Sequence, residues 1–305
     1  MSDLNGLRHL YAQTASFYES QVIPAFAPLA KDFAAWALRC AADHLQYELF
    51  DPFDSDNQND SASSESDLLK KLNVIDLGTG TGIMARTLAA RVHSVLGVDV
   101  SPAMLNVAQR FAPPNVALIQ ADLHTLPLQH SFAGLIVSSF GLNASTPKPA
   151  LRSIANTLRK GKGMFAFQEW SVEDECSQIL EETLKAHTPE DAPALDEPIQ
   201  AFYAAPKPWY DQLQDTEDYY EALKHSGFDM VWVKEAAFVS VHLPNIGAFG
   251  RYKLAWPGRR FTVEAMTPQQ QLDFERALIE RLSRFANPDG TFDWAPHLFR
   301  VFATR

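Results

Sequence analysis

The chain has 305 residues, 46 % hydrophobic and 21 % charged, which sets it among folded globular proteins of one large domain or two modest ones. Its formal net charge of −11 makes it a poor partner for a phosphate backbone and sets nucleic acid aside as a substrate. No apolar run reaches the ~18 residues of a membrane helix, and MSDLNGLRHLYAQ lacks the basic and apolar regions of an export signal, so a cytoplasmic protein with no membrane insertion is expected.

Aromatic and aliphatic residues recur at helical spacing through LRHLYAQTASFYESQVIPAF and LAKDFAAWALRCAADHL, with Pro24 and Pro28 at their join, so residues 1–50 are expected to form a helical cap. Cys40 and Cys176 are far apart and share no metal-ligand spacing; they read as free thiols, and no metal site is expected. Residues 51–67, DPFDSDNQNDSASSESD, carry six acids and no Lys or Arg. Such a stretch buries too little apolar area to fold alone, and a flexible acidic linker is expected there.

From residue 72 apolar runs alternate with helical patterns. NVIDL, SVLGVDV, VALIQAD, AGLIVSSF and GMFAFQEW read as strands; IMARTLAARV, PAMLNVAQRF and KPALRSIANTLRK read as helices, the last ended by Gly161. Ser101 as N-cap and Pro102 at the first position open PAMLNVAQRF. Residues 171–213, with several prolines and many acids, break the rhythm. TEDYYEALKHSG resumes it as a helix, FDMVWVKEAAFVSV as a strand, residues 244–287 as helices, and FDWAPHLFRVFATR as a closing strand after the turn NPDG. The pattern predicts an α/β fold: a seven-stranded, mostly parallel sheet with a reversed last strand, helices on both faces, and residues 1–49, 171–213 and 244–287 gathered over the strand ends as a lid.

The first strand of this body ends in VIDLGTGTG, with glycines at 78, 80 and 82. A P-loop needs Gly-Lys-Ser/Thr at its end, but Gly82 is followed by Ile83 and Met84. A dinucleotide fingerprint is G-x-G-x-x-G, whereas this is G-x-G-x-G with Asp76 two residues ahead of it. A carboxylate there suits a cationic ligand better than a pyrophosphate. Asp99 ends the second strand, where an acid receives ribose hydroxyls, and Asp122 ends the third, where it can accept from an adenine amino group. Each acid could instead be a helix or turn cap. Together they describe ammonium, ribose and adenine, which suits S-adenosylmethionine better than a nicotinamide dinucleotide.

Residues 72–170 resemble the class I, Rossmann-like S-adenosylmethionine-dependent methyltransferases, and within them the subgroup that methylates quinones and other small molecules. VIDLGTGTG, VLGVDVSPAMLNVAQ, IQADLHTLPLQHSFAGLIVSSFGLN and ALRSIANTLRKGKGMFAF carry the resemblance. It implies a Rossmann-like domain over 68–305, with lid insertions at about 171–213 and 244–287. It also implies methyl transfer from S-adenosylmethionine to a small-molecule acceptor at oxygen, nitrogen or carbon. Asp76, Gly78, Thr79, Gly80 and Gly82 would then face the methionine part. Asp99 would bind ribose, Val100 and Met104 would line the adenine, and Asp122 and Leu123 would hold its ring. Tyr11 and Tyr18 resemble an aromatic cover over the cofactor. Ser138 is expected beside the cofactor, and Phe140, Asn143, Trp170, Tyr252 and Trp256 beside the acceptor. Glu169 and His124 are the candidate bases, with His242 and Arg251 further off in the late helical segment. Phe132-Ala133 stands where the family often has Phe-Asp, and Arg159-Lys160-Gly161-Lys162-Gly163 where it has Lys-Pro-Gly-Gly; both are scaffold positions. A nicotinamide oxidoreductase and a non-catalytic protein that keeps the fold are the alternatives.

Overall fold

The computed structural model describes residues 4–47, 50–54, 62–129, 132–190 and 194–305, the side chains of 62–65 excepted. It opens with α1 (Leu4–Gln21), α2 (Ile23–Gln46) and α3 (Ala62–Leu69). The alternating body follows: β1 (Asn73–Leu77), α4 (Ile83–Ala89), β2 (Ser94–Asp99), α5 (Pro102–Phe111), β3 (Val116–Gln120), β4 (Leu135–Ser139), α6 (Pro147–Thr157) and β5 (Met164–Trp170). Next come α7 (Glu175–His187), α8 (Glu197–Ala204), α9 (Pro208–Gln212), α10 (Thr216–His225), β6 (Met230–Ala236) and β7 (Val241–Leu243). The chain continues with α11 (Ile246–Leu254), α12 (Pro257–Glu264), α13 (Pro268–Leu282), β8 (Phe292–Trp294) and β9 (Leu298–Thr304).

The main sheet has the order β3-β2-β1-β4-β5-β9-β6. Strands β1 to β5 pair in parallel, and β9 runs antiparallel to both β5 and β6. The expected seven-stranded, mostly parallel α/β sheet with a reversed last strand is the one found. Its strand order turns back between β1 and β4, the point at which such sheets open a crevice beyond their carboxyl ends.

Alternation along the strands sorts their side chains between two cores. Val74, Leu135, Val137, Ala166 and Phe302 pack under α2 and α4. Ile75, Leu77, Ile136, Phe167 and Val301 pack under α6, α9 and α10. A third core lies over the strand ends, where Val22 and the first turns of α2, to Leu29, meet α7, α11, α13, β7 and β8. The first helical segment is therefore more than a cap: the second half of α2, from Ala30 to Ala42, is a layer of the sheet itself. Among the described residues no helix is long and apolar enough to cross a membrane.

The structure corrects several boundaries. α6 ends at Thr157, because Leu158 turns extended and bridges Ala133; Gly161 serves instead in the tight turn before β5, at φ 77°. FDMVWVKEAAFVSV ends as a strand at Ala236, and only its last residue enters the short β7; FDWAPHLFRVFATR divides into β8 and β9, and β7 pairs with β8 as a separate two-stranded sheet. The acidic linker is corrected at both ends. Its far end is α3, and at its near end Trp36 Nε1 donates to the Pro52 carbonyl at 2.9 Å. Phe53 stacks on Trp36 at 5.6 Å and on Phe238 at 6.3 Å. Composition counted the acids and missed the one aromatic that docks; residues 55–61 lie outside the described residues. We expect Phe53→Ala to cost about 1–2 kcal/mol, read as a melting temperature lower by a few degrees, since it deletes a ring shared by two others.

Candidate active site

The glycine turn needs its glycines because Gly78, Gly80 and Gly82 have φ of 68°, 55° and 86°, values that side chains rarely adopt. The amides of Gly78 and Thr79 donate to the Val98 carbonyl at 2.8 and 3.0 Å, pinning the turn to the end of β2. A Cβ on Gly78 would lie 2.4 Å from Gly141 Cα, so the turn and the loop after β4 touch backbone to backbone. A Cβ on Gly80 would meet nothing within 4 Å, because Gly80 faces an open cavity. Thr81 lines the same cavity, and its buried hydroxyl has no hydrogen-bond partner.

Asp99 enters this cavity from the end of β2. Its two carboxylate oxygens accept from the amides of Gly80 and Ser101, each at 2.8 Å. A carboxylate has about four lone-pair positions, so capacity remains toward the cavity. Burial raises the Asp99 carboxyl above its ordinary range, and the two amides oppose that rise. Val100, Met104 and Leu123 line the cavity beside it.

Asp122 also lines it, with a local partner. One of its oxygens accepts from the His124 amide at 2.9 Å and from His124 Nδ1 at 2.6 Å. His124 Nε2 accepts from the Thr146 amide at 2.9 Å, which fixes the proton on Nδ1. Both ring nitrogens are therefore engaged, which removes His124 as a free base.

Asp76 is only 1 % exposed and does not line the cavity. It accepts from the Thr79 hydroxyl at 2.6 Å and so braces the turn from below. Burial pushes its carboxyl up to about 7. Gly82 likewise stays outside, against Ala108 of α5. Ser138 is a correction. Its hydroxyl donates to the Leu77 carbonyl at 2.8 Å inside the core, and its neighbour Ser139 is the one at the cavity. Successive strand side chains face opposite ways, and the expected role falls on the adjacent residue.

The far wall is aromatic. Phe140, left-handed at φ 62°, stacks on Trp170 with ring centres 4.1 Å apart and meets Phe26 edge-on at 5.3 Å. A non-glycine residue held there marks a position that its surroundings over-determine. Tyr11 and Tyr18 of α1 each meet Trp256 edge-on at 6.1 Å, roofing the cavity. Tyr252 is a second correction: it is packed on Phe26 and Trp294 and does not line the cavity.

Glu169, the other candidate base, is fully buried at the end of β5. Oε1 accepts from the Leu142 amide at 2.9 Å, while Oε2 has no hydrogen-bond partner. Burial pushes its carboxyl up to about 8, with no cation among the described groups that act on it. It lies behind Asn143, which lines the cavity, rather than in the cavity itself. His242 pairs with Asp293 at 2.8 Å on the β7–β8 surface, and neither it nor Arg251 lines the cavity. Tyr220 and Lys224 have the Tyr-x-x-x-Lys spacing of some nicotinamide enzymes, but they sit on α10, away from the cavity.

The family model described as a methyltransferase domain matches residues 74–161. Over residues 74–161 the chain carries a methyltransferase domain. The ubiquinone/menaquinone biosynthesis C-methyltransferase UbiE of Idiomarina loihiensis is 32 % identical over 105 residues, 32 % of this chain and 42 % of that protein. An uncharacterised methyltransferase of Mycobacterium tuberculosis is 30 % identical over 102 residues, 33 % of this chain and 41 % of that protein. The matches thus span less than half the length of these curated relatives. A solved S-adenosylmethionine-dependent methyltransferase of Thermotoga maritima aligns over 98 % of this chain and 99 % of its own, with 14 % identity and a TM-score of 0.47.

The residues of the methyltransferase domain fit such a cofactor on three counts: the open face of Gly80, the unpartnered Thr81 hydroxyl, and the spare acceptor capacity of Asp99. Among the described residues the charged side chains that line the cavity are Asp99 and Asp122, which suits a cationic ligand. Thr81, Met84, Ser139 and Gly141 also line the cavity, along with Leu7 of α1 and Ala30 of α2. Gly141 carried a signal, a glycine directly after a strand; Leu7 and Ala30 read only as helix core.

Proposed function

We propose that the whole chain is an enzyme that transfers the methyl group of S-adenosylmethionine to a small-molecule acceptor. The observation that carries this reading is the cavity floor, where the bare face of Gly80 and the free hydroxyl of Thr81 lie beside Asp99. The cofactor supplies an electrophilic methyl on a cationic sulfur. Asp99 holds the ribose, while Val100, Met104 and Leu123 form an apolar slot for adenine, closed at one end by Asp122. The glycine turn and Thr81 receive the methionine part, braced by Asp76 and Thr79. Tyr11, Tyr18 and Trp256 exclude water. Catalysis is then largely positioning in a dry site.

One relative is named a ubiquinone/menaquinone biosynthesis C-methyltransferase, which supports a small, largely apolar acceptor. The segments 171–213 and 244–287, with α1, act as the lid that selects it, and we assign the enzyme to the cytoplasm. Release of S-adenosylhomocysteine in a small-molecule screen tests the activity. Turnover only on RNA or protein would overturn the small-molecule reading. Binding without turnover on any acceptor class would favour a non-catalytic protein that keeps the fold, and failure to bind the cofactor would reopen the nicotinamide alternative. Asp99→Ala is expected to weaken S-adenosylmethionine binding by about 1–3 kcal/mol, the loss of a charge-assisted contact. Titration calorimetry showing wild-type affinity would remove Asp99 from the site.

A further inference from the structure

Ser139 at the end of β4, Gln168 of β5 and Arg300 of β9 stand in one row of the sheet, since Ser139 pairs with Gln168 and Gln168 with Arg300. Gln168 and Arg300 are both buried. Their side chains are joined: Arg300 Nε donates to Gln168 Oε1 at 3.3 Å, and Gln168 Nε2 donates to the Ser139 hydroxyl oxygen at 2.9 Å. Asp32 of α2 closes the outer end of the row by accepting from Arg300. Phe33, Trp36 and Phe238 surround the guanidinium, with ring centres 5.8, 5.6 and 4.3 Å from its carbon. Ser139, at the inner end, lines the cavity beside the glycine turn.

Each hydrogen bond in this row has its direction fixed. A guanidinium carries donors and no acceptor, so the atom of the Gln168 amide that faces Arg300 is its oxygen, and the amide nitrogen faces Ser139. That nitrogen only donates. The serine oxygen therefore accepts, and its own proton is left over. Among the described residues no acceptor takes that proton. A buried ion pair contributes little net stability over apolar residues of similar volume. What Arg300 and Asp32 contribute here is the orientation of an amide that could otherwise turn over.

The same register relates Ser139 to Asp99. Asp76 pairs with Gly97 on one side and with Val137 on the other. Asp99 and Ser139, each two residues further along, thus stand level on one face of the sheet, two strands or about 10 Å apart. A methyl donor with its ribose at Asp99 also brings the carboxylate of its methionine part. The charged side chains that line the cavity, Asp99 and Asp122, repel that carboxylate, so it is best placed away from them and met by neutral donors. We propose that Ser139 donates a hydrogen bond to the carboxylate of the methyl donor, and that Gln168, Arg300 and Asp32 are positioning residues that keep its proton turned into the cavity. This rests on the cavity being the methyl-donor site.

The test compares, by calorimetry on the full chain, the affinity for S-adenosylhomocysteine with that for S-adenosyl-3-thiopropylamine, the same molecule without its carboxylate. Ser139→Ala should weaken the first roughly tenfold and leave the second unchanged. Gln168→Glu keeps the shape and the Arg300 partner but turns an acceptor oxygen toward Ser139, which draws the serine proton inward. It should show the same tenfold loss for S-adenosylhomocysteine alone, and no further loss in a chain that already carries Ser139→Ala. Replacing the ion pair by apolar residues, Arg300→Met with Asp32→Leu, should leave a folded protein with part of that selective loss, because the amide is freed to turn over. Wild-type affinity in either single variant, equal loss of both ligands, or a Gln168→Glu loss that persists beside Ser139→Ala would overturn the proposal. No loss in the apolar double variant would overturn the positioning role of Arg300 and Asp32. Failure of the wild type to bind S-adenosylhomocysteine would instead overturn the methyl-donor reading beneath it.

Discussion

Gly80→Val is expected to abolish S-adenosylmethionine binding in a protein that still folds. At φ 55° a valine is strained, by about 1–2 kcal/mol, but its Cβ would meet no protein atom within 4 Å. The branched side chain would fill the cavity floor, so its cost would fall on a ligand resting there. Gly78→Ala makes the contrast. Its new Cβ would lie 2.4 Å from Gly141 Cα, and both sides of that contact are backbone that cannot swing away. That variant should lose stability first. Calorimetry with S-adenosylhomocysteine and a thermal melt separate the two. A Gly80→Val protein with wild-type affinity would show that the turn is structural and the cavity serves something else.

The second large effect is on stability against pH. Unfolded, Glu169 titrates near 4.5; folded, burial moves it to about 8. Between those values the folded state holds a proton that the unfolded state has lost. Its contribution is therefore complete below pH 4.5 and disappears as pH rises through 8. Glu169→Gln keeps an acceptor for the Leu142 amide and cannot ionise. It should match the wild type near pH 5 and exceed it by on the order of 3–5 kcal/mol near pH 9. Asp76, raised to about 7, acts in the same direction in both proteins, so both curves fall and the gap between them belongs to Glu169. Denaturant melts giving parallel curves would mean that Glu169 is ionised throughout.

The sheet was legible because its strands are short apolar runs bounded by acids and glycines, and a parallel sheet buried on both faces requires that. The cavity was legible where one residue type has one use: Gly80 by its need for a bare backbone, Asp99 by its place at a strand end. Reading failed where the deciding fact was a partner distant in the chain. His124 looked like a base until the Thr146 amide took its second nitrogen. Ser138 and Ser139 are alike in composition, and only the Leu77 carbonyl distinguishes them. Tyr252 and Trp256 are four residues apart, yet one packs on Phe26 and Trp294 and the other lines the cavity. Phe53 was hidden among acids, because the ring that holds it, Trp36, lies back in α2.

The place of β9 bears on how the chain is made. It follows every other strand in sequence, yet lies inside the sheet, pairing Met164 of β5 with Thr304 and separating β5 from β6. On a ribosome adding ~5–20 residues per second, β5 waits on the order of ten seconds for its neighbour. During that interval MFAFQEW presents an apolar, unpaired edge, the kind of surface that invites wrong pairing. β6 has no sheet to join until the same strand arrives. Synthesis thus yields α1 to β5, with the glycine turn, well before the strand that closes the sheet. A premature stop just before Leu298 would leave the glycine turn intact in a polypeptide with an open sheet, one that chaperones and proteases would meet before any acceptor did.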